Sequence, residues 1–305
     1  MGQQTQSAIN VTLTTYAKGV AQDLVSAVAN FIAPVVRVGS PVGQFKKFDD
    51  KNAFQIYGTA RGYGGSANRI SFAATDGTLN CLPQALEIAL DDAERAGGTD
   101  SLQMEQAKVR TLISATTIAH EKKVLDLMKS GKAATGGIGN WTAADADPIA
   151  EIDAMIETIA NATGQMPNRI LFGLAAMRII RNNPKVMARF PGAASVGVSM
   201  DQLTGLFLNP QMQGKVAVLS RDTTKMGATA SKTNIVGSEV FVFLGSDSPD
   251  IYDPSFAKTF TVGEGGVDKV RQYRDESARS DVFAIDWSED IQVVSSISAV
   301  RATIS

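Results

Sequence analysis

The sequence predicts an α+β fold, and three stretches carry that expectation. Residues 102–130 repeat apolar positions at helical spacing over an unusual length. Residues 142–255 interleave helix-like segments with short all-apolar strands. Residues 256–305 alternate apolar and polar side chains as a half-buried antiparallel sheet does.

Residues 1–39 read as an arm. Its start is polar and threonine-rich (Thr12, Thr14, Thr15), which leaves little to bury, so it should need a surface to lie on. A short helix from Val20 to Ile32 is expected to end at Pro34 and run into an extended Val35–Val38. Residues 40–76 read as a long hairpin. Phe54 and Ile56 alternate on one side and Ile70 and Phe72 on the other, around the glycine-rich turn Gly58-Thr59-Ala60-Arg61-Gly62-Tyr63-Gly64-Gly65-Ser66. Its bases, Lys46, Lys47, Lys51, Arg61 and Arg69, outnumber its acids. Residues 77–101 reverse that balance, with Glu87, Asp91, Asp92, Glu94 and Asp100 against Arg95. A basic protrusion beside an acidic segment suits docking onto an identical neighbour, and two solvated faces would give the same pattern.

The helix predicted over 102–130 places Val109, Leu112, Ile113, Thr116, Val124, Leu127 and Met128 on one stripe, and Gly131 is a good stop. Residues 133–140 form a glycine-rich loop. An acidic helix should follow from Asp147 or Pro148 to about Ala162, buried through Ile149, Ile152, Ile156 and Ile159. Arg169–Phe172 and Val240–Leu244 read as buried strands, with helices at Leu174–Asn182 and Met200–Phe207 and a strand around Val216–Leu219. Short strands at Phe260–Val262 and Val270–Tyr273 precede an alternating run through Phe283, Ile285 and Trp287, continued by Ile291 and Val293.

Composition narrows the function classes. Charged residues make up 20% and the formal net charge is −2, unlike a free-standing nucleic-acid binder. The single cysteine, Cys81, permits no intrachain disulfide. The polar start lacks a signal-peptide pattern, and no run of about 18 apolar residues would span a membrane.

Catalytic signatures fail one by one. The single histidine, His120, lies mid-helix, and one histidine with one cysteine cannot make a zinc site, so His120 reads as a packed or solvated helix residue and Cys81 as a small packed one. Gly192–Ser199 has phosphate-loop spacing, but Val198 stands where the lysine must be. The acid pairs Asp49-Asp50, Asp91-Asp92, Asp275-Glu276 and Glu289-Asp290 read as solvated surface. Neither a metal nor an organic cofactor is expected. An α/β enzyme is the reading from another class, and it lacks a credible acid, base or metal cluster.

The order of parts, with several local phrases, resembles the Hong Kong 97-type fold of tailed-phage major capsid proteins and of the related encapsulins. Ala33–Val38 leading to Gly43–Phe48 is similar to their arm-to-hairpin entry. Pro167–Gly173 with Ala176-Met177-Arg178 is similar to their strand–helix step. Tyr273–Glu276 and Asp286–Val294 are similar to their closing strands. The resemblance implies an N-terminal arm (1–39), an extended β-hairpin or E-loop (40–76), a P-domain with a long spine helix (77–141) completed by returning strands (256–305), and an α/β A-domain (142–255). It implies a structural subunit whose hexamers and pentamers close an icosahedral head around double-stranded DNA, without sequence-specific binding and without a membrane. An encapsulin-like compartment is the alternative. Implied partners are a separate scaffolding protein, a portal and a decoration protein, with assembly in the host bacterial cytoplasm and residence in the virion. The candidate inter-subunit contacts are Lys46, Lys47, Phe48, Arg61, Tyr63 and Arg69. Some relatives form covalent lysine–asparagine crosslinks, and no local motif here carries that chemistry over.

Overall fold

The computed structural model describes residues 8–9, 12–17, 28–47, 59–67, 75–97, 101–135, 138–143, 145–190, 198–222, 229, 231–263 and 269–304. The chain forms two compact units. One comprises Met1–Gly43, Leu79–Leu127 and Lys258–Gln292, the other Gln44–Thr78, Met128–Ala257 and Val293–Ser305.

The first unit is built on a six-stranded sheet in the order Ala8–Ile9, Val270–Asp275, Ser280–Val293, Ala257–Val262, Val35–Val38, with Leu82–Asp91 paired to Ser280–Val293 as well. The 14-residue strand Ser280–Val293 is its axis. Strand alternation sends Phe283 and Ile285 to one face, where they join Val270 and Leu90 against Val109, Leu112 and Ile113 of the helix Ser101–Gly131. That helix has 31 residues, about 46 Å at the α-helical rise. Thr116 sits on the same buried stripe, and its hydroxyl donates to the Ile113 carbonyl at 2.8 Å, so no polar group is stranded.

The arm differs in part from expectation. Residues 12–17 are helical, and Leu13 and Ala17 are buried in this same core. Ala8 and Ile9 pair antiparallel with Gln272 and Arg271. Helical spacing puts Leu13 and Ala17 on one side and the threonines elsewhere, so the segment has something to bury after all. Of the expected Val20–Ile32 helix, Ala29–Ile32 is seen and residues 18–27 lie outside the described set. Val35–Val38 then runs parallel to Thr259–Val262. The buried Glu121 reaches from the long helix to accept the Ala29 backbone N–H at 2.7 Å, a carboxylate at the positive end of a short helix.

The second unit centres on a four-stranded sheet ordered Ala299–Thr303, Glu239–Phe243, Arg169–Gly173, Gln213–Ala217. Every residue of Arg169–Gly173 is buried, and its apolar run Ile170–Phe172 implies as much for the centre of the strand. Ile170, Phe172, Val240 and Val242 pack with Ile149, Ile152, Ile156 and Ile159 of the helix Pro148–Thr163. Asp147 caps that helix through Ala150 N–H, and Gly164 ends it with φ +66°. Pro184 stops one helix and opens the next, Pro184–Ala188, capped by Asn183. Arg301 donates to the carbonyls of Lys129 (3.0 Å) and Lys132 (3.3 Å), satisfying acceptors that the end of the long helix leaves unpaired.

Candidate functional site

The hairpin is anchored by Val42–Lys47 paired with Thr75–Asn80. Phe45 is buried there against Gly77, where a Cβ would lie 2.5 Å from the ring. Gly77→Ala is therefore expected to displace Phe45 and cost about 1–3 kcal/mol. The check is the urea midpoint of the subunit, and an unchanged midpoint would show that the ring has room to move.

Lys46 pairs with Asp76 across the two strands, and Lys47 Nζ lies 5.9 Å from the Phe45 ring centroid. These two candidate bases are thus engaged at the hairpin's own root. Residues 59–67 are exposed throughout. Gly64 takes φ +80°, which favours glycine, and Gly65 N–H donates to the Gly62 carbonyl at 3.0 Å. The turn presents Arg61 and a Tyr63 that is 111% exposed. Phe48 and Arg69, and the strands expected around Phe54–Ile56 and Ile70–Phe72, lie outside the described residues.

The acidic segment is largely engaged within its own unit. Asp92 meets Arg274 (2.7 Å to Nη1), Glu94 meets Lys108 (2.8 Å), and Glu87 accepts from the Tyr273 hydroxyl (2.8 Å). The Arg274 hydrogen bond holds the Asp92 carboxyl below the usual carboxylate range. The Glu87 hydrogen bond pushes the Tyr273 phenol up.

A second cluster joins the long helix to Ser280–Val293. His120 Nδ1 lies 2.7 Å from Glu289 Oε2, and Lys123 Nζ lies 2.8 Å from Glu289 Oε1. A carboxylate only accepts, so Nδ1 carries the proton. Lys123 also meets Gln84, and an open groove runs beside these groups past Leu127, Asp290 and Ile291. Glu289 is 8% exposed, which corrects the reading of Glu289-Asp290 as a solvated pair. Asp290 accepts from Asn80 N–H at 2.7 Å. Burial alone would push the Glu289 carboxyl up, but the hydrogen bonds and charges of His120 and Lys123 reverse this and hold it at about 2. A carboxyl so firmly ionised is poorly matched to proton transfer near neutral pH, and the geometry is that of a clamp between helix and strand.

Cys81 is buried, its sulfur 3.5 Å from the Phe260 carbonyl, and burial pushes the thiol up. Among the described residues, no group of three or more His, Cys, Asp or Glu could hold a metal, and no helix is long and apolar enough to cross a membrane.

No family model matches the sequence. Over 235 residues it is 25% identical to the major capsid protein of Burkholderia phage BcepMu, covering 75% of this chain and 76% of that one. A phage-related protein of Bordetella bronchiseptica RB50 aligns with a TM-score of 0.76 and 22% identity over 98% of both chains. The capsid of a native GTA particle aligns at 0.58 and 11% identity, over 92% of this chain and 90% of that one. The chain has the Hong Kong 97-type capsid fold.

Two features of the fold depart from what the sequence leads one to expect. Leu82–Asp91 is a strand within what the sequence shows as an acidic segment, and Leu82, Leu86, Ile88 and Leu90 recur there at even positions. Glu289 follows Phe283, Ile285 and Trp287 at strand spacing, which places it on the core-facing side where a carboxylate needs partners.

Proposed function

We propose that this chain is the major capsid protein of a tailed phage, self-assembling as hexamers and pentamers into an icosahedral head that encloses double-stranded DNA. The observation that supports it most is the likeness to the BcepMu major capsid protein over three quarters of both chains. The role is structural rather than catalytic. Residues 1–39 act as the arm, 40–76 as the E-loop, 77–141 with 256–305 as the P-domain and 142–255 as the A-domain. A scaffolding protein, a portal and a decoration protein are the expected partners, and the DNA is enclosed without sequence-specific contacts. Assembly takes place in the host bacterial cytoplasm and the product resides in the virion.

Closed shells repeat one set of contacts many times, so each contact can be modest. Negative-stain microscopy of the purified protein should show closed particles of uniform size. A protein that stays monomeric by sedimentation at every concentration would overturn the reading.

The exposed tip is the proposed point of subunit contact, with Arg61 and Tyr63 as its anchors. An aromatic and an arginine presented together are the residue types that dominate interface energetics. Arg61→Glu combined with Tyr63→Ala should leave the urea midpoint of the free subunit unchanged and raise the concentration needed for shells roughly tenfold. Shells forming at the wild-type concentration would remove the tip from the interface.

A further inference from the structure

The helices of the second unit are divided by charge. Residues 141–168 carry five acids and no base. Residues 174–190 carry four bases, Arg178, Arg181, Lys185 and Arg189, and no acid. The fold turns those bases outward. In the helix Leu174–Arg181, Ala176 and Ile180 are buried in the core, with Met177 and Ile179 packed beside them. Helical spacing then leaves Arg178 and Arg181 together on the exposed face. Asn183 is buried as the cap of Pro184–Ala188, and Lys185 and Arg189 are exposed beyond it.

Much of this charge is engaged within the unit. Arg189 pairs with Asp147 at 3.0 Å, and Lys185 Nζ donates to the Asp145 carbonyl. Glu151 accepts from the Trp141 indole N–H at 2.7 Å, and Asp153 from the Leu208 backbone N–H at 2.8 Å. Arg178 and Arg181 differ, because neither has a carboxylate partner among the described residues. A cation in the last turn of a helix is favoured by the helix dipole, which gives each a local reason to be there. Two like charges side by side on one helix face oppose each other, and an anion that spans both relieves that cost.

We propose that Arg178 and Arg181 hold the phosphate backbone of duplex DNA on the inner side of the shell. The inference rests on the capsid reading. Two adjacent arginines suit an anion of dense, regular charge, and duplex DNA carries one negative charge per about 1.7 Å of its axis. The guanidinium fork donates in pairs to phosphate oxygens, and the exposed Asn182 adds a neutral amide donor beside it. Such contacts position a duplex without reading its bases. A protein partner fits less well. None of the exposed large apolar side chains lies between Arg178 and Arg189, so the surface lacks the apolar centre of a protein interface. The acidic helix of a second copy fits less well too. Asp147, Glu151 and Asp153 are already engaged. Asp145 lies before the helix Pro148–Thr163 and Glu157 well inside it, so these two do not match arginines set three residues apart.

Titration of free subunits, below the assembly concentration, with a fluorescent mixed-sequence duplex tests this. The wild type should bind at low salt without sequence preference, and the logarithm of its affinity should fall linearly with the logarithm of salt concentration. Arg178→Gln combined with Arg181→Gln should keep the wild-type urea midpoint and weaken low-salt binding roughly tenfold or more. It should also flatten the salt slope by about 1.8, two phosphate contacts at about 0.9 each. Arg178→Lys with Arg181→Lys keeps both charges and should keep the slope, which a purely structural role would not require. An unchanged slope in the glutamine pair, or no wild-type binding at low salt, would overturn the proposal. Polyglutamate that binds as tightly as the duplex would overturn it in favour of an acidic protein partner. Closed shells assembled from the purified chain should no longer bind a long duplex added outside. Shells that bind it as free subunits do would put the arginines on the outer surface and overturn the placement. Failure of the wild type to close shells would overturn the capsid reading itself, and the subunit titration does not depend on that outcome.

Discussion

Leu112→Ala is expected to destabilise the free subunit by about 2–5 kcal/mol, the usual range for opening a cavity at a buried leucine. Leu112 is 4% exposed and lies in the cluster formed by Val109, Ile113, Val270, Phe283, Ile285 and Leu90. Those neighbours come from a long helix and three strands, so no single side chain can relax into the space. Against a total stability of roughly 5–15 kcal/mol, such a loss would leave much of the subunit unable to persist before assembly. Urea denaturation below the assembly concentration gives the measurement, read as a lower midpoint at unchanged slope. Ile118 is on the same helix but 39% exposed, so Ile118→Ala should fall within about 0.5 kcal/mol of wild type. Equal losses for the two variants would mean that the buried stripe of the helix has been misassigned.

The contrast between Leu112 and Ile118 shows what kind of feature a sequence displays. The long helix was legible because Val109, Leu112, Ile113, Thr116, Val124 and Met128 hold helical spacing for several turns. The central strands Arg169–Gly173 and Glu239–Phe243 were legible because burial on both faces leaves the apolar runs Ile170–Phe172 and Val240–Phe243. Leu82–Asp91 was not, since leucine, alanine and glutamate are strong helix formers and only the long-range ladder to Ser280–Glu289 makes a strand of them. The core role of Leu13 and Ala17 was hidden for a related reason. Two small turns of helix around threonines carry little periodic signal, and their burial depends on a sheet more than 250 residues away in sequence. The tip at 59–67 was read from its glycines, whose conformational demand is local. The His120–Lys123–Glu289 clamp was out of reach of local pattern. His120 and Lys123 lie on the helix and Glu289 far along the chain, and only tertiary packing unites them.

That clamp should make the subunit acid-sensitive in a defined window. The Glu289 carboxyl is held at about 2 in the folded chain, against an ordinary value of 4.5. A carboxyl depressed on folding contributes stability that is fully present above its unfolded value and is lost as pH falls through its folded value. The contribution should therefore be intact above about pH 4.5 and decay to nothing near pH 2. Its size is roughly 2 kcal/mol after allowing for solvent screening around Lys123, which is more exposed than the carboxylate. Glu289→Gln keeps the shape and removes the charge, so at pH 6 it should cost about that amount, and its stability should converge on the wild-type value as the pH is lowered toward 2. Parallel urea series on free subunits at pH 6, 4.5, 3.5 and 2.5 would measure the gap between the two proteins. The difference isolates Glu289, because every other carboxylate titrates in both. A gap that stays constant across the series would show that His120 and Lys123 do not hold the carboxylate in its charged form, and the helix would then be joined to the strand by packing alone.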